Sequence, residues 1–141
     1  MSFGIASVST MLGIRGGMNI AVHAPPEGFM EALLPLPEGA ALVNDSKTGL
    51  DLQIVFTLKK TEVVERLGPC IRGMAVMGGI WIVFQTATDA PHAPTEDFVR
   101  LAALENGLVD TKKVMLGPVW TALKLQWKPR GPRVELPSAR A

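Results

Sequence analysis

Apolar positions along this chain gather into short compact runs, separated by two stretches in which they return every three to four residues. The run "MNIAVHA", Met18 to Ala24, follows Gly16 and Gly17 and reads as a buried strand. "GFMEALLPLP" reads as a short helix that stops near Pro35, because proline lacks the amide hydrogen and its ring clashes with the preceding turn. "GAALVND" predicts a second strand ending in Asn44 and Asp45, and "LDLQIVFTL", Leu50 to Leu58, a third that is apolar enough to be covered on both faces. Val63, Val64, Leu67, Ile71 and Met74 then fall at helical spacing, with Thr61 as the expected N-cap, Glu62 near the positive end of the dipole, and a kink or split at Gly68 and Pro69. "GIWIVFQ", Gly79 to Gln85, is the fourth strand. After a polar loop, Thr95 caps a helix that Asn106 and Gly107 end. "LVDTKKVML" and "WTALKLQWK" follow, joined by the turn "GP", and so short a link requires them to pair antiparallel.

Strands covered on both faces and linked by helices imply an α/β fold with a mostly parallel sheet and right-handed crossovers. The expectation is a Rossmann-like three-layer sandwich of about six strands with an antiparallel C-terminal edge hairpin. One domain over residues 1–128 accounts for the pattern, and residues 129–141, rich in Pro and Arg, are expected to form an extended or flexible basic tail.

Composition changes this picture in two places. Hydrophobic residues make up 48% of the 141 and charged residues only 19%, so the charged surface is thin for a monomer and a homo-oligomer is expected. The formal charge is only +1, yet from Lys112 onward seven basic residues stand against the single acid Glu135. Such an end can attract phosphate or an acidic protein partner, although a solvated strand face with a soluble tail explains it more simply. Nucleic acid is not expected. No apolar run approaches the roughly 18–20 residues of a membrane span, and the N-terminus lacks the pattern of a secretion signal. A single cysteine, Cys70, leaves no internal disulfide and suits a cytoplasmic protein.

The stretches "AVHAPPEGF", "PLPEGAALVND" and above all "TEDFVRLAALENGLVDTKKV" followed by "VWTALKLQWK" resemble a small bacterial family, domain of unknown function 3052. The resemblance covers roughly Leu12 to Lys128 and is most specific toward the C-terminus, from Thr95, Glu96 and Asp97 to Trp120, Leu123 and Lys124. It implies a shortened Rossmann-like domain similar in architecture to S-adenosylmethionine-dependent methyltransferases, and no established activity. Relatives carry lysines soon after the fourth strand, where this chain has "QTATDAPHAP".

The loop "AVHAPPEGF" stands where such a domain would carry its glycine-rich turn. A phosphate cradle needs free amide hydrogens at a helix N-terminus and glycines that let the backbone come close. Pro25 and Pro26 have no such hydrogen, and Glu27 adds a negative charge. NAD, FAD and nucleoside triphosphates are therefore not expected, and no cofactor is the leading expectation. S-adenosylmethionine, a cation without phosphate, is the alternative. The resemblance places Asp45 where related methyltransferases hold ribose hydroxyls, although an Asp opening the turn "NDSKTG" needs no ligand.

Four residues are thus candidate ligand contacts: His23, Glu27, Gly28 and Asp45. His23 and His92 fall where the carboxyl edge of the sheet is expected, the edge at which open α/β folds bind ligands. Their spacing with Asp89 is not that of a metal site. Cys70 reads as packing, no GxSxG elbow surrounds any serine, and Trp120 and Trp127, seven positions apart, should point to opposite faces of one strand. With no catalytic constellation, a non-catalytic binding or scaffold module is the leading function, and a small-molecule enzyme or sensor for an adenosyl or nucleoside ligand the alternative.

Overall fold

The computed structural model describes residues 7–44 and 47–128. In chain order the elements are α1 (Val8–Met11), β1 (Asn19–His23), α2 (Phe29–Leu33), β2 (Ala41–Leu42), β3 (Leu50–Phe56), α3 (Lys60–Gly73), β4 (Met74–Gln85), α4 (Glu96–Glu105), β5 (Leu108–Leu116) and β6 (Trp120–Trp127). The strands form one sheet in the order β2-β1-β3-β4-β6-β5. Strands β2, β1, β3 and β4 are mutually parallel, and β6 is antiparallel to both of its neighbours, β4 and β5. The expected antiparallel C-terminal hairpin is therefore present, with its second strand inserted against β4. The residue pattern explains why. Strand β6 buries Trp120, Ala122, Leu123 and Leu125 on its two faces, whereas β5 carries exposed Thr111, Lys112 and Lys113 and is suited to an edge.

The period of two along each strand builds two cores. Leu52, Ile54 and Phe56 of β3 join Trp81 and Val83 of β4 beneath α1 and α2, where Val8, Leu12, Phe29 and Leu33 cover them. Val55, Ile80, Ile82 and Phe84 point the other way, under Val63, Leu67 and Cys70 of α3 and Val99, Ala102 and Ala103 of α4. Gln53 is buried on this side of the sheet and donates from Nε2 to the carbonyl of Cys70 at 2.7 Å. That carbonyl lies in the last turn of α3, where helices leave acceptors without an intrahelical donor. Replacing Gln53 by leucine should cost about 1–3 kcal/mol by stranding a buried acceptor, measured by denaturant unfolding. A cost near zero would mean that the acceptor finds another donor.

Several elements differ from expectation for local reasons. Lys59, not Thr61, is the N-cap of α3, because Glu62 turns back to accept from the amides of Leu58 (2.6 Å) and Lys59 (3.2 Å). Pro69 lies inside a continuous helix of 14 residues, since Val63, Leu67 and Cys70 hold both sides of it against the sheet. Met74 to Met77, expected to be helical, already belong to β4. Its register against β3 shifts between Leu50 and Leu52, which leaves Val76 and Met77 81% and 87% exposed. Strand β2 is only two residues long, and α1, absent from the pattern reading, is held by its Ser7 cap and by the docking of Val8 and Leu12. Asp45 and the expected tail, 129–141, lie outside the described residues. Among the described residues no helix is long and apolar enough to cross a membrane.

Candidate functional site

Because β1, β3 and β4 are parallel and β6 is reversed, their ends converge: His23, Phe56 and Gln85 finish three strands at the edge where Trp120 begins the fourth. Open α/β sheets bind ligands along this carboxyl edge. A cleft of about 310 Å³ opens there. Ala24 and Pro26 of the β1 loop form one wall, Phe56 and Trp120 the aromatic floor, and Leu58 with Glu62, Arg66 and Gln85 the rest. The floor is rigid. The Phe56 ring stands edge-on to Trp120 (centroids 5.2 Å apart) and to Phe29 (4.7 Å).

The charged groups of the cleft are committed to the frame. Glu62 caps α3 as described, and Arg66 donates from Nη1 to the Phe56 carbonyl at 2.8 Å and lies 3.9 Å from Glu62. The Leu58 amide above all holds the Glu62 carboxyl below the ordinary glutamate range; burial opposes it, and the Lys59 amide and the Arg66 charge add to the lowering. A carboxyl lowered on folding stabilises the fold above its unfolded value, and that contribution fades as pH falls through the lower folded value. Glu62→Gln should therefore flatten the acid limb of the stability–pH curve and leave its slope above pH 6 unchanged, which denaturant melts across pH will read. Gln85 differs from both charged neighbours. Among the described residues its side-chain amide makes no hydrogen bond, so it offers a donor and an acceptor to the cleft.

A second groove, of about 280 Å³, lies on the α3 side of β1 and shares Arg66 with the cleft. His23 lines it with Gln53, Glu65 and Cys70, the Cys70 Sγ standing 3.9 Å from His23 Nε2. Of the residues singled out by sequence, His23 thus faces the groove, Glu27 is exposed on the β1 loop, and Gly28 is the N-cap of α2 at φ +88°. Neither Glu27 nor Gly28 lines the cleft or the groove. Trp120 was read only as one of two opposed tryptophans. It is indeed buried while Trp127 is 41% exposed, but the cleft it floors depends on β6 being inserted beside β4, which no local pattern specifies.

Known structures of low sequence identity superpose on this chain. The chain superposes on the pyocyanin biosynthetic protein PhzM with a TM-score of 0.62 at 12% identity over 86% of its length, spanning about half (53%) of that protein. The fold is that of the S-adenosylmethionine-dependent methyltransferases. A methyltransferase of that kind from Aquifex aeolicus matches at 0.56 and 10% identity, covering 84% of this chain and 86% of the other. A Sulfolobus solfataricus protein described as a type 11 methyltransferase matches at 0.62 and 10%, covering 90% and 93%. No protein-family model matches the sequence, and no curated protein matches it significantly.

The fold raises the question of whether the β1 loop suits S-adenosylmethionine. Close approach of a cofactor needs a backbone without side chains and with amides to spare. Here Ala24 holds φ +55° with its Cβ in place, Pro25 and Pro26 have no amide hydrogen, and the Phe29 amide is spent on the Pro26 carbonyl at 3.1 Å. The loop residues do not fit the cofactor.

Proposed function

We propose that this chain is a binding module on a methyltransferase frame, which holds a small, flat, uncharged molecule in the cleft above Phe56 and Trp120 and has no transfer activity of its own. The observation that carries the reading is the division of labour in that cleft: aromatic floor, Glu62 and Arg66 tied to the backbone, and Gln85 unspent. Small-molecule sites are commonly apolar concavities of roughly 300–1,000 Å³ with a few placed polar groups, and this cleft sits at the lower bound. Glu62 and Arg66 neutralise each other, so the cleft favours a neutral ligand over an ion. An amide side chain presents one donor beside one acceptor, the complement of a lactam or amide edge. A general base for methyl transfer would have to come from Glu62, whose Oε1 already accepts two amides.

The probe is isoquinolin-1-one, a bicyclic lactam of suitable size. Titration should perturb Trp120 emission saturably, and Gln85→Leu should weaken binding about tenfold or more by leaving the lactam edge unpaired. The reading fails if the probe binds equally well to the Gln85→Leu variant, or if S-adenosylmethionine binds at micromolar concentration.

A further inference from the structure

The lysines of β5 and β6 do not line the cleft, and β5 brings them into an unusual arrangement. The register between β5 and β6 shifts between Asp110 and Lys112: Asp110 stands opposite Leu125, Thr111 is passed over, and Lys112 stands opposite Lys124. Such a bulge re-aims the side chains on either side of it. Asp110 and Lys113 therefore both face α4, where Asp110 pairs with Arg100 (3.2 Å) and Lys113 with Glu96 (2.8 Å). Lys112 is turned to the opposite face, that of α1, beside Lys124.

Like charges directly opposite on paired strands destabilise a sheet. Lys124 lies flat across Gly79, where a Cβ would come within 2.7 Å of its Cε, and its Nζ sits 5.9 Å from the centre of the Trp81 ring. Burial first, then the charges of Lys112 and Arg15, hold the half-buried Lys124 ammonium below the ordinary lysine range. Among the described residues none of the three cations forms an ion pair. Lys124 pairs with Trp81, four residues along β6 from Trp120, and neither Lys112 nor Lys124 lines the cleft.

We propose that Lys112 and Lys124 form an anion site for a compact oxyanion bearing two or more negative charges, of phosphate-monoester or diphosphate chemistry. A multivalent anion between the strands would turn the repulsion of Lys112 and Lys124 into shared attraction. Lysines serve phosphate as point charges, and the stem of Lys124 is already positioned by Gly79 and the indole beneath it. The site is independent of the aromatic cleft and stands if that reading falls.

Inorganic pyrophosphate is the probe, with sodium chloride at matched ionic strength as the control, and thermal unfolding and calorimetry as the readouts. The intact chain should be stabilised by pyrophosphate beyond the salt control. Lys112→Thr should melt higher than the parent without the anion, because repulsion is relieved, and bind pyrophosphate at least about tenfold more weakly. Gly79→Ala keeps every charge but displaces the Lys124 stem, and should weaken binding in the same direction. A parent response no greater than that of matched chloride, or a Lys112→Thr variant that binds as tightly as the parent, overturns the proposal.

Discussion

Trp81→Ala is expected to lose about 3–5 kcal/mol of stability, much of what a domain of this size possesses. Trp81 is the largest fully buried side chain and lies in β4, in the core beneath α1 and α2. It also anchors the N-terminal segment, since its indole Nε1 donates to the Leu12 carbonyl at 3.0 Å. Truncation opens a cavity and strands that acceptor together. Trp81→Phe separates the two effects, keeping most of the packing while removing the donor, for about 1–3 kcal/mol. Denaturant unfolding gives the energies, and amide exchange locates them. In the phenylalanine variant, residues 8–14 should lose protection before β3 and β4 do. Uniform loss of protection would mean that α1 is not held chiefly by this hydrogen bond.

The second large effect belongs to Phe56, which is 4% exposed and serves both fold and cleft. It is the middle member of an aromatic row running Phe29, Phe56, Trp120, so Phe56→Ala removes two edge-on ring contacts and the cleft floor together. The expected cost is about 3–5 kcal/mol, with isoquinolin-1-one affinity falling by more than about tenfold. Comparison with Gln85→Leu makes the result interpretable. The strand-end glutamine is half-exposed and should lose affinity with stability nearly intact, so a loss of binding shared by the two variants traces to the cleft rather than to global unfolding. If Phe56→Ala retained full affinity, the aromatic floor would have no part in recognition.

The strands were legible because each carries a compact apolar run, and "LDLQIVFTL" is covered on both faces as its composition predicts: Ile54 goes to one core and Val55 to the other. Boundaries failed where a distant partner decides them. Met74 to Met77 continue the helical spacing of α3, but pairing with β3 pulls them into the sheet; Pro69 carries a breaker signal that packing overrides. For the site, the prolines of the β1 loop are visible in the sequence, whereas the positive φ of Ala24 is not. The sequence could not show the cleft. Phe56, Gln85 and Trp120 are some thirty residues apart from one to the next, and only the insertion of β6 beside β4 gathers them. Nor could it show the facing lysines, which depend on a one-residue slip at Thr111.

The most direct test is a nitrogen-15 NMR titration of the intact chain, run separately with isoquinolin-1-one and with S-adenosylmethionine. The account predicts that the lactam shifts the Gln85 side-chain amide and the Trp120 indole saturably, and that S-adenosylmethionine leaves the amides of Ala24, Glu27 and Gly28 unmoved. Saturable shifts of those loop amides with S-adenosylmethionine, and none at Gln85 or Trp120 with the lactam, would contradict it.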